Sequence, residues 1–130
     1  MNLFDHEKLD VYVAAIDFVA VADDVVAHLP RGRAYLADQL QRAATSIPLN
    51  IAEGAGEFSS SEKARFYRMA KRSATECAAI LHVCKELGLI DESRHGTGRE
   101  LLLRIVPMLV QMVRRTGESE SGSGSGSGSK

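Results

Sequence analysis

Long apolar runs are missing from this chain of 130 residues, although 45% of its residues are hydrophobic. No uncharged apolar stretch reaches the roughly 20 residues that a membrane-spanning helix needs, so no transmembrane segment is predicted. Met1 is followed by polar residues rather than by a basic start and an apolar run, so no signal peptide is predicted either. Together these absences favour a protein of the cytoplasm that has no membrane partner.

Strand signals and an excess of one charge are also absent. The chain has no sustained alternation of apolar and polar residues and no Asn-Gly or Asp-Gly pair to close a hairpin. Its 16 Lys and Arg residues stand against 17 Asp and Glu residues, whereas a strongly nucleic-acid-binding domain usually has a clear basic excess. The composition therefore indicates an all-α protein and gives no overall sign of a nucleic-acid partner.

Cysteine is scarce. Cys77 and Cys84 are seven residues apart, which on a helix separates them by roughly 10 Å along the axis. That distance is too long for a disulfide between them. Both are predicted to be reduced, apolar core residues of an intracellular protein.

One domain is predicted over residues 1–117. Residues 118–130 contain a Ser/Gly alternation, which behaves as a flexible coil and is interpreted as an engineered linker. The remaining length suffices for one hydrophobic core and is too short for two comfortable ones.

Four segments have the helical period, and the short connections between them predict an antiparallel up-down-up-down bundle. The predicted segments are helix 1 over residues 5–28, helix 2 over 33–55, helix 3 from the N-cap Ser59 to the C-cap Gly88, and helix 4 from near Asp91 to about Arg115.

Proline and glycine mark the weak points of these helices. Pro48 predicts a kink or a short break in helix 2, and Pro107 predicts a bend in helix 4. Gly96 and Gly98 weaken the first turns of helix 4, so a start at Thr97 is an alternative.

Helices 1 and 4 each carry two apolar stripes, one more than a helix in a lone small bundle needs. Contact with another copy of the chain is the economical way to cover the second stripe, so a homo-oligomer is predicted. The pattern does not set the number of subunits. The residues predicted to lie between subunits are Val11, Phe18, Val21 and Val25 on helix 1 and Leu103, Val106 and Val110 on helix 4.

Helix 3 carries a run of basic residues, here called the basic flank: Lys63, Arg65, Arg68, Lys71 and Arg72. Helical spacing places Arg65, Arg68 and Arg72 together, away from the apolar stripe of the helix. Three interpretations are open: an ordinary solvated face, a stripe that contacts phosphates and is repeated around an oligomer, or a surface that meets the acidic helix 1 of a neighbouring subunit.

Catalytic and metal-binding patterns are weak. The four histidines are scattered, and no His-x-x-x-His pair presents two ligands on one helix face. Glu53 and Glu76 are mid-helix carboxylates, which could form an acid/base pair but more often make structural hydrogen bonds. No metal, no cofactor and no enzymatic activity are predicted.

Two segments carry a resemblance to a known family: TSIPLNIAEGAGE at residues 45–57 and RFYRMAKRSATECAAILHVCKELGLI at residues 65–90. They resemble the four-helix-bundle proteins encoded in intervening sequences of bacterial 23S ribosomal RNA genes, a family that includes the accessory protein of diversity-generating retroelements. The resemblance implies a barrel-shaped homopentamer. It also implies, through the retroelement branch, binding to nucleic acid or to a nucleic-acid-processing protein.

The family motif maps onto Asn50, Glu53, Gly54 and Glu76. We interpret these residues as structural: Asn50 satisfies groups freed at Pro48, Glu53 and Glu76 anchor helix contacts, and Gly54 permits a close helix approach or a helix end. The expected function is a non-enzymatic oligomeric module that binds RNA or a ribonucleoprotein through the basic flank. The alternative is an oligomeric protein-interaction scaffold that binds no nucleic acid.

Overall fold

The structure is a computed structural model that describes residues 2–118. Within that range the chain is entirely helical and contains no strand. The elements are a 3-10 helix Asp5–Lys8, α1 (Asp10–Ala27), α2 (Ala34–Ala55), α3 (Ser60–Glu86), α4 (Glu92–Val113) and a final π-helical turn Arg114–Glu118. The predicted Ser/Gly tail lies, apart from Glu118, outside the described residues.

The first predicted helix is two elements. Leu9 adopts an extended conformation (φ −89°, ψ 129°), so the 3-10 helix ends at Lys8 and α1 begins at Asp10. The Glu7 carboxylate accepts a 2.8 Å hydrogen bond from the Phe4 backbone N–H and thereby closes the short helix on itself. The prediction of one continuous helix from residue 5 was therefore wrong at this point.

α2 continues through Pro48, so the short break considered there does not occur. Its buried face includes Leu36, Leu40, Ala43, Ile47 and Ile51, spaced three and four residues apart. That spacing places one apolar stripe along the helix, which is why the segment is helical and buried on one side.

α3 has the ends that the sequence predicts, with one difference. Ser59 Oγ accepts a 3.0 Å hydrogen bond from the Glu62 backbone N–H, as an N-cap does. The Glu62 carboxylate is bonded to Arg65 instead of returning to Ser59, so half of the capping box forms. At the other end Gly88 has φ +71°, and the Leu89 N–H donates to the Cys84 carbonyl, which confirms the left-handed C-cap.

α4 begins at Glu92, because Asp91 Oδ1 accepts a 2.8 Å hydrogen bond from the Arg94 backbone N–H and caps the helix. The alternative start at Thr97 is therefore wrong. Gly98 is buried, and a Cβ atom there would lie 2.7 Å from Leu81 Cδ1. This glycine weakens the helix locally but lets α4 pack closely on α3.

All four helices contribute to one apolar core, and no polar or charged residue of the described chain is buried. Small side chains are frequent in it, which allows the helices to approach one another closely. The largest fully buried side chains are Phe18, Leu40, Ile47, Ile51, Leu81, Ile105 and Leu109. Cys77 and Cys84 are both fully buried in this core with free thiols, which is the position predicted for them.

Among the described residues, no helix is both long and apolar enough to cross a membrane.

Candidate nucleic-acid and subunit surfaces

Three residues of the basic flank are exposed, and their side chains have no bonded partner among the described residues. Arg68, Lys71 and Arg72 lie on the solvent side of α3. In the described part of the chain none of them forms an ion pair or a hydrogen bond with another side chain. Their positive charges are therefore available to an anionic partner.

Lys63 has a different role from the one predicted. Its ammonium group donates 3.1 Å hydrogen bonds to the carbonyls of Gly54 and Ala55, at the last turn of α2. A helix C-terminus leaves such carbonyls unsatisfied and carries partial negative charge, which a lysine compensates. Lys63 thus links the start of α3 to the end of α2. Its predicted role as a nucleic-acid-binding residue is corrected accordingly.

Arg65 is partly engaged. Its guanidinium donates to the Glu62 carboxylate at 3.0 and 3.1 Å and lies 4.5 Å from the centre of the Phe66 ring. Half of its side chain remains exposed. A surface ion pair of this kind contributes little stability, so the guanidinium can exchange Glu62 for a phosphate.

Phe58 is an exposed aromatic residue that the sequence reasoning missed. It lies in the turn between α2 and α3, at the same end of α3 as Arg65, and its side chain is fully exposed. The sequence does contain a signal for this residue. Phe58 directly precedes the capping serines and belongs to no apolar stripe of a helix. An exposed ring beside basic residues can stack on an unpaired base.

The outward side of α1 is not the one predicted. Val11, Phe18 and Val25 are buried in the core of the single chain, at 0 to 2% exposure, and Val21 is half-buried. The predicted subunit contact on helix 1 is therefore corrected, because Val11, Phe18 and Val25 are already covered by the chain's own helices. The apolar residues that α1 exposes are Val13, Ile16, Ala20 and, at its last position, Ala27.

On α4, the residues predicted to contact another subunit remain at least partly exposed. Leu102, Ile105 and Leu109 fill the core, whereas Leu103 is 59% exposed. Val106 and Val110 are half-buried at the edge of the bundle. The second stripe of α4 therefore remains accessible to another chain.

Pro48 has no N–H, so the carbonyl of Ala44 lacks its usual partner in the helix. Asn50 was expected to satisfy groups freed in this way, but it bonds Ser46 instead. Its Nδ2 donates 2.9 Å hydrogen bonds to the Ser46 carbonyl and to Ser46 Oγ. Ser73 of α3 donates to the same Oγ at 2.9 Å. The asparagine therefore belongs to a short polar network that joins α2 to α3.

Gly54 lies against α3. A Cβ atom at this position would be 2.6 Å from Cε1 of the buried Tyr67 ring, so only glycine permits this approach of α2 to α3. Glu53 and Glu76 are exposed and do not form the helix anchors proposed for them in the described chain. Glu76 borders a shallow polar groove of about 260 Å³ between α2 and α3.

A polar cluster that was not predicted from the sequence lies between α1 and α4. The Arg94 guanidinium donates to the carboxylates of Asp24 at 2.8 Å and Asp91 at 3.0 Å. It also lies 3.0 Å from His28 Nε2, while His28 Nδ1 lies 2.8 Å from the Asp24 carbonyl. These carboxylates raise the pKa of Arg94, the hydrogen bond to Asp24 having the largest effect. The cluster joins the end of α1 to the start of α4.

Neither cysteine is arranged for chemistry. Burial, reinforced by the nearby Glu76 carboxylate, raises the pKa of Cys77 to about 12, and burial also raises the pKa of Cys84. A reactive cysteine needs a lowered pKa and access to solvent. In the described part of the chain no three His, Cys, Asp or Glu side chains come together as metal ligands.

Comparison with known protein families identifies a family whose profile covers most of the chain. The profile of the 23S rRNA-intervening sequence protein family matches residues 7–111, which include almost all of the four helices and both segments that carry the resemblance. No curated protein matches the chain. The match covers most of the sequence and agrees with the all-helical architecture. The chain therefore belongs to the family of 23S rRNA-intervening sequence proteins.

Proposed function

We propose that this protein is a non-enzymatic, homo-oligomeric helical module that binds RNA, or a ribonucleoprotein, through a basic surface repeated on each subunit. The observation that carries the proposal is that Arg68, Lys71 and Arg72 on α3 are exposed and form no ion pair within residues 2–118. The family resemblance implies an assembly of five subunits. The proposed location of the protein is the cytoplasm.

Repetition around an oligomer compensates for the small number of charges on one chain. The whole sequence has a formal net charge of −1, so attraction to RNA must come from a local patch rather than from the overall charge. Each phosphate contact releases counterions, and several contacts together produce a steep dependence of affinity on salt. An oligomer that presents three unpaired cations per subunit can make such a set of contacts.

Phe58 and Arg65 extend the same surface toward the turn between α2 and α3. RNA-binding proteins recognise single-stranded loops by stacking unpaired bases on aromatic rings. A fully exposed phenylalanine at the end of a basic helix suits this use. The proposed RNA is therefore structured, with a loop or a bulge that reaches the turn.

An antiparallel arrangement of the four helices is part of the proposal. Asp24, late in α1, bonds Arg94, early in α4, and Ser46, midway in α2, bonds Ser73, midway in α3. Lys85 at the end of α3 pairs with Glu92 at the start of α4 at 3.3 Å. These contacts and the short connections support neighbours that alternate in direction.

The test is binding of purified, nuclease-treated protein to a structured RNA, titrated from low to physiological salt. The variant Arg65→Glu/Arg68→Glu/Arg72→Glu should lose binding at physiological salt while its mass in light scattering stays that of the wild type. The matched control is Arg31→Glu/Arg42→Glu/Arg114→Glu, which makes the same change of charge at other exposed positions. Unchanged binding by the flank variant, or no binding by the wild type at low salt, would overturn the RNA proposal.

The second candidate is an oligomeric scaffold that binds proteins and no nucleic acid. It is favoured by the near balance of 16 basic and 17 acidic residues. Recovery of a stable protein partner that nuclease treatment does not release, together with no RNA affinity at low salt, would establish this candidate in place of the first. Stoichiometric zinc or iron in the purified protein would instead reopen the question of a metal site.

A further inference from the structure

We infer that binding of RNA to this protein takes up protons, because the basic flank continues along the border of α3 and α4 into a surface that contains two histidines. This surface, here called the histidine strip, consists of Lys71, His82 and Lys85 on α3 and His95 and Arg99 on α4. Phosphate groups of the RNA bind there beside protonated imidazoles, so the affinity for RNA rises on acidification. The inference rests on the RNA binding of the proposed function and adds a regulated part to its surface.

The two histidines lie between two contacts that fix how α3 and α4 face each other. Lys85 forms a 3.3 Å ion pair with Glu92 at the start of α4. One turn earlier on α3, Leu81 Cδ1 lies 2.7 Å from where a Cβ atom of Gly98 would be. The histidine of α3 falls between Leu81 and Lys85, and the histidine of α4 falls between Glu92 and Gly98. The charge on the first therefore acts on the second across the border of the two helices.

Lys71 joins the strip to the basic flank. It precedes Lys85 by two steps of seven residues, a spacing that repeats the same side of a packed helix. Since Lys85 contacts α4, Lys71 also lies toward α4. Lys71 is itself a member of the basic flank, so an RNA backbone that follows α3 passes from the flank into the strip.

The permanent cations of the strip are accessible to a polyanion. Lys71 and Arg99 are exposed, and neither forms an ion pair with another described residue. Lys85 is held by Glu92, whose side chain is 78% exposed. An exposed ion pair contributes little stability, so Lys85 can exchange this carboxylate for a phosphate.

The surroundings of His95 are mainly cationic. Burial has the largest effect and lowers the pKa of His95. Lys85 and His82 on α3 and Arg99 on the same helix lower this pKa further, whereas the Glu92 carboxylate raises it. In the free protein, the neighbours of this imidazole thus oppose its protonation more than they favour it.

His82 is more open to solvent and has an acidic neighbour on its own helix. Its Nε2 atom lies 3.8 Å from the Glu86 carboxylate, and both side chains are 70% exposed. α1 contacts the other side of α4, where Asp24 bonds Arg94. α2 likewise bonds the other side of α3 through a pair of serines. The charges that decide protonation of the strip therefore come from α3 and α4.

A bound phosphate reverses the electrostatics of this surface. An opposite charge nearby favours the charged form of a titratable group. RNA in the strip therefore raises the pKa of His95, which burial and neighbouring cations lower in the free protein. Because such coupling is reciprocal, the affinity for RNA rises as the pH falls through the range in which histidines titrate.

The test measures the affinity of the purified protein for the structured RNA between pH 8 and pH 5.5, where carboxylates stay largely ionised. Wild-type affinity should rise about tenfold over this range, as two additional exposed ion pairs per subunit allow. The slope of log affinity against log salt should steepen by about 0.7–0.9 for each histidine that gains a phosphate contact. His82→Gln/His95→Gln should not show the rise, because glutamine is polar but does not titrate.

Two further variants separate the charge of the strip from general effects of acid. His6→Gln/His28→Gln removes the two other histidines of the chain and should retain the wild-type rise. His82→Lys/His95→Lys carries fixed charges, so it should bind at pH 8 about as tightly as the wild type binds at pH 5.5, with a flat pH profile. Circular dichroism should show wild-type helicity for every variant.

Histidine resonances give a measurement that does not depend on a substitution. In wild-type protein labelled with 13C at histidine, the Cε1–H signal of His95 should titrate at a higher pH with RNA bound than without it. A titration midpoint that RNA leaves unchanged would contradict the inference.

Failure of this inference can be told apart from failure of the proposed function. If the wild type and His82→Gln/His95→Gln bind RNA with the same pH profile, the inference is overturned and the proposed function stands. If the wild type binds no RNA at low salt at any pH in the range, both are overturned.

Discussion

At the scale of single residues, glycines that look alike in the sequence have opposite roles. Gly54 and Gly98 each occupy a point where two helices approach too closely for a side chain, against Tyr67 and Leu81 respectively. Gly96, in the same helix as Gly98, has no atom within 4 Å of where its Cβ would lie. A glycine in a helix interior costs about 1 kcal/mol of helix stability relative to alanine. Only Gly54 and Gly98 offset that cost, because they allow two helices to pack closely.

Alanine substitutions in α4 test this distinction. Gly96→Ala should raise the free energy of unfolding by about 0.5–1 kcal/mol, because it removes backbone freedom from the unfolded chain without a clash. Gly98→Ala should lower it by about 1–3 kcal/mol, because the new Cβ forces the buried Leu81 to move. Urea unfolding followed by circular dichroism measures both. Equal effects of the two substitutions would contradict the packing role of Gly98.

The two thiols provide a second test at this scale. Burial raises the pKa of both cysteines, that of Cys77 to about 12, so hardly any Cys77 thiolate is present at pH 8. Neither sulfur is accessible to solvent. Neither should react with Ellman's reagent in native protein over the minutes in which free cysteine reacts fully. Both should react at once in denaturant, which serves as the control. Rapid reaction of either thiol in native protein would show that the core opens around it.

At the scale of elements, local signals in the sequence predicted where helices begin and end. Ser59 and Asp91 act as N-caps, and Gly88 forms the left-handed C-cap. These features depend on residues within one turn of each other, so they can be inferred without knowing the fold. Leu9 was missed because it has no capping side chain and becomes extended as it packs against the core.

The N-cap of α3 can be tested by replacing adjacent serines. Ser59→Ala removes the acceptor of the Glu62 N–H and should lower the free energy of unfolding by about 1 kcal/mol. Ser60→Ala changes the first residue of the helix, which makes no side-chain hydrogen bond in the described chain, and should stay within about 0.5 kcal/mol of the wild type. Chemical denaturation measures the pair. A larger effect at Ser60 than at Ser59 would place the cap elsewhere.

At the scale of the whole molecule, α1 shows why an apolar pattern does not by itself assign an inward side. Its two stripes have similar lengths and similar residues, and the sequence offers no local reason to prefer one. The bundle places the stripe with Phe18 inside, because a large aromatic ring fills the space between α1 and α4 beside Gly98. The stripe with Val13 and Ile16 is left outside.

Core and surface positions should respond differently to truncation. Phe18→Ala should lower the free energy of unfolding by about 3–5 kcal/mol, because it leaves a cavity where a fully buried ring was. Val83→Ala, at a position on α3 that is 45% exposed, should change it by less than about 0.5 kcal/mol. Thermal and urea unfolding at one protein concentration measure both. A small effect at Phe18 would mean that the outward and inward sides of α1 have been exchanged.

The sequence by itself determined the all-helical class, the four helices, most of their ends and the family, because periodicity, caps and motif segments are local properties of the chain. Only the tertiary structure decided which stripe of α1 is buried and which members of the basic flank are unpaired. Lys63 bonds the carbonyls at the end of α2, a contact that exists only once the turn between α2 and α3 brings the two together. Arg94 likewise acquires Asp24 and His28 as partners only when α1 and α4 pack side by side. A charge is visible in the sequence, but its partner is set by the packing of distant segments.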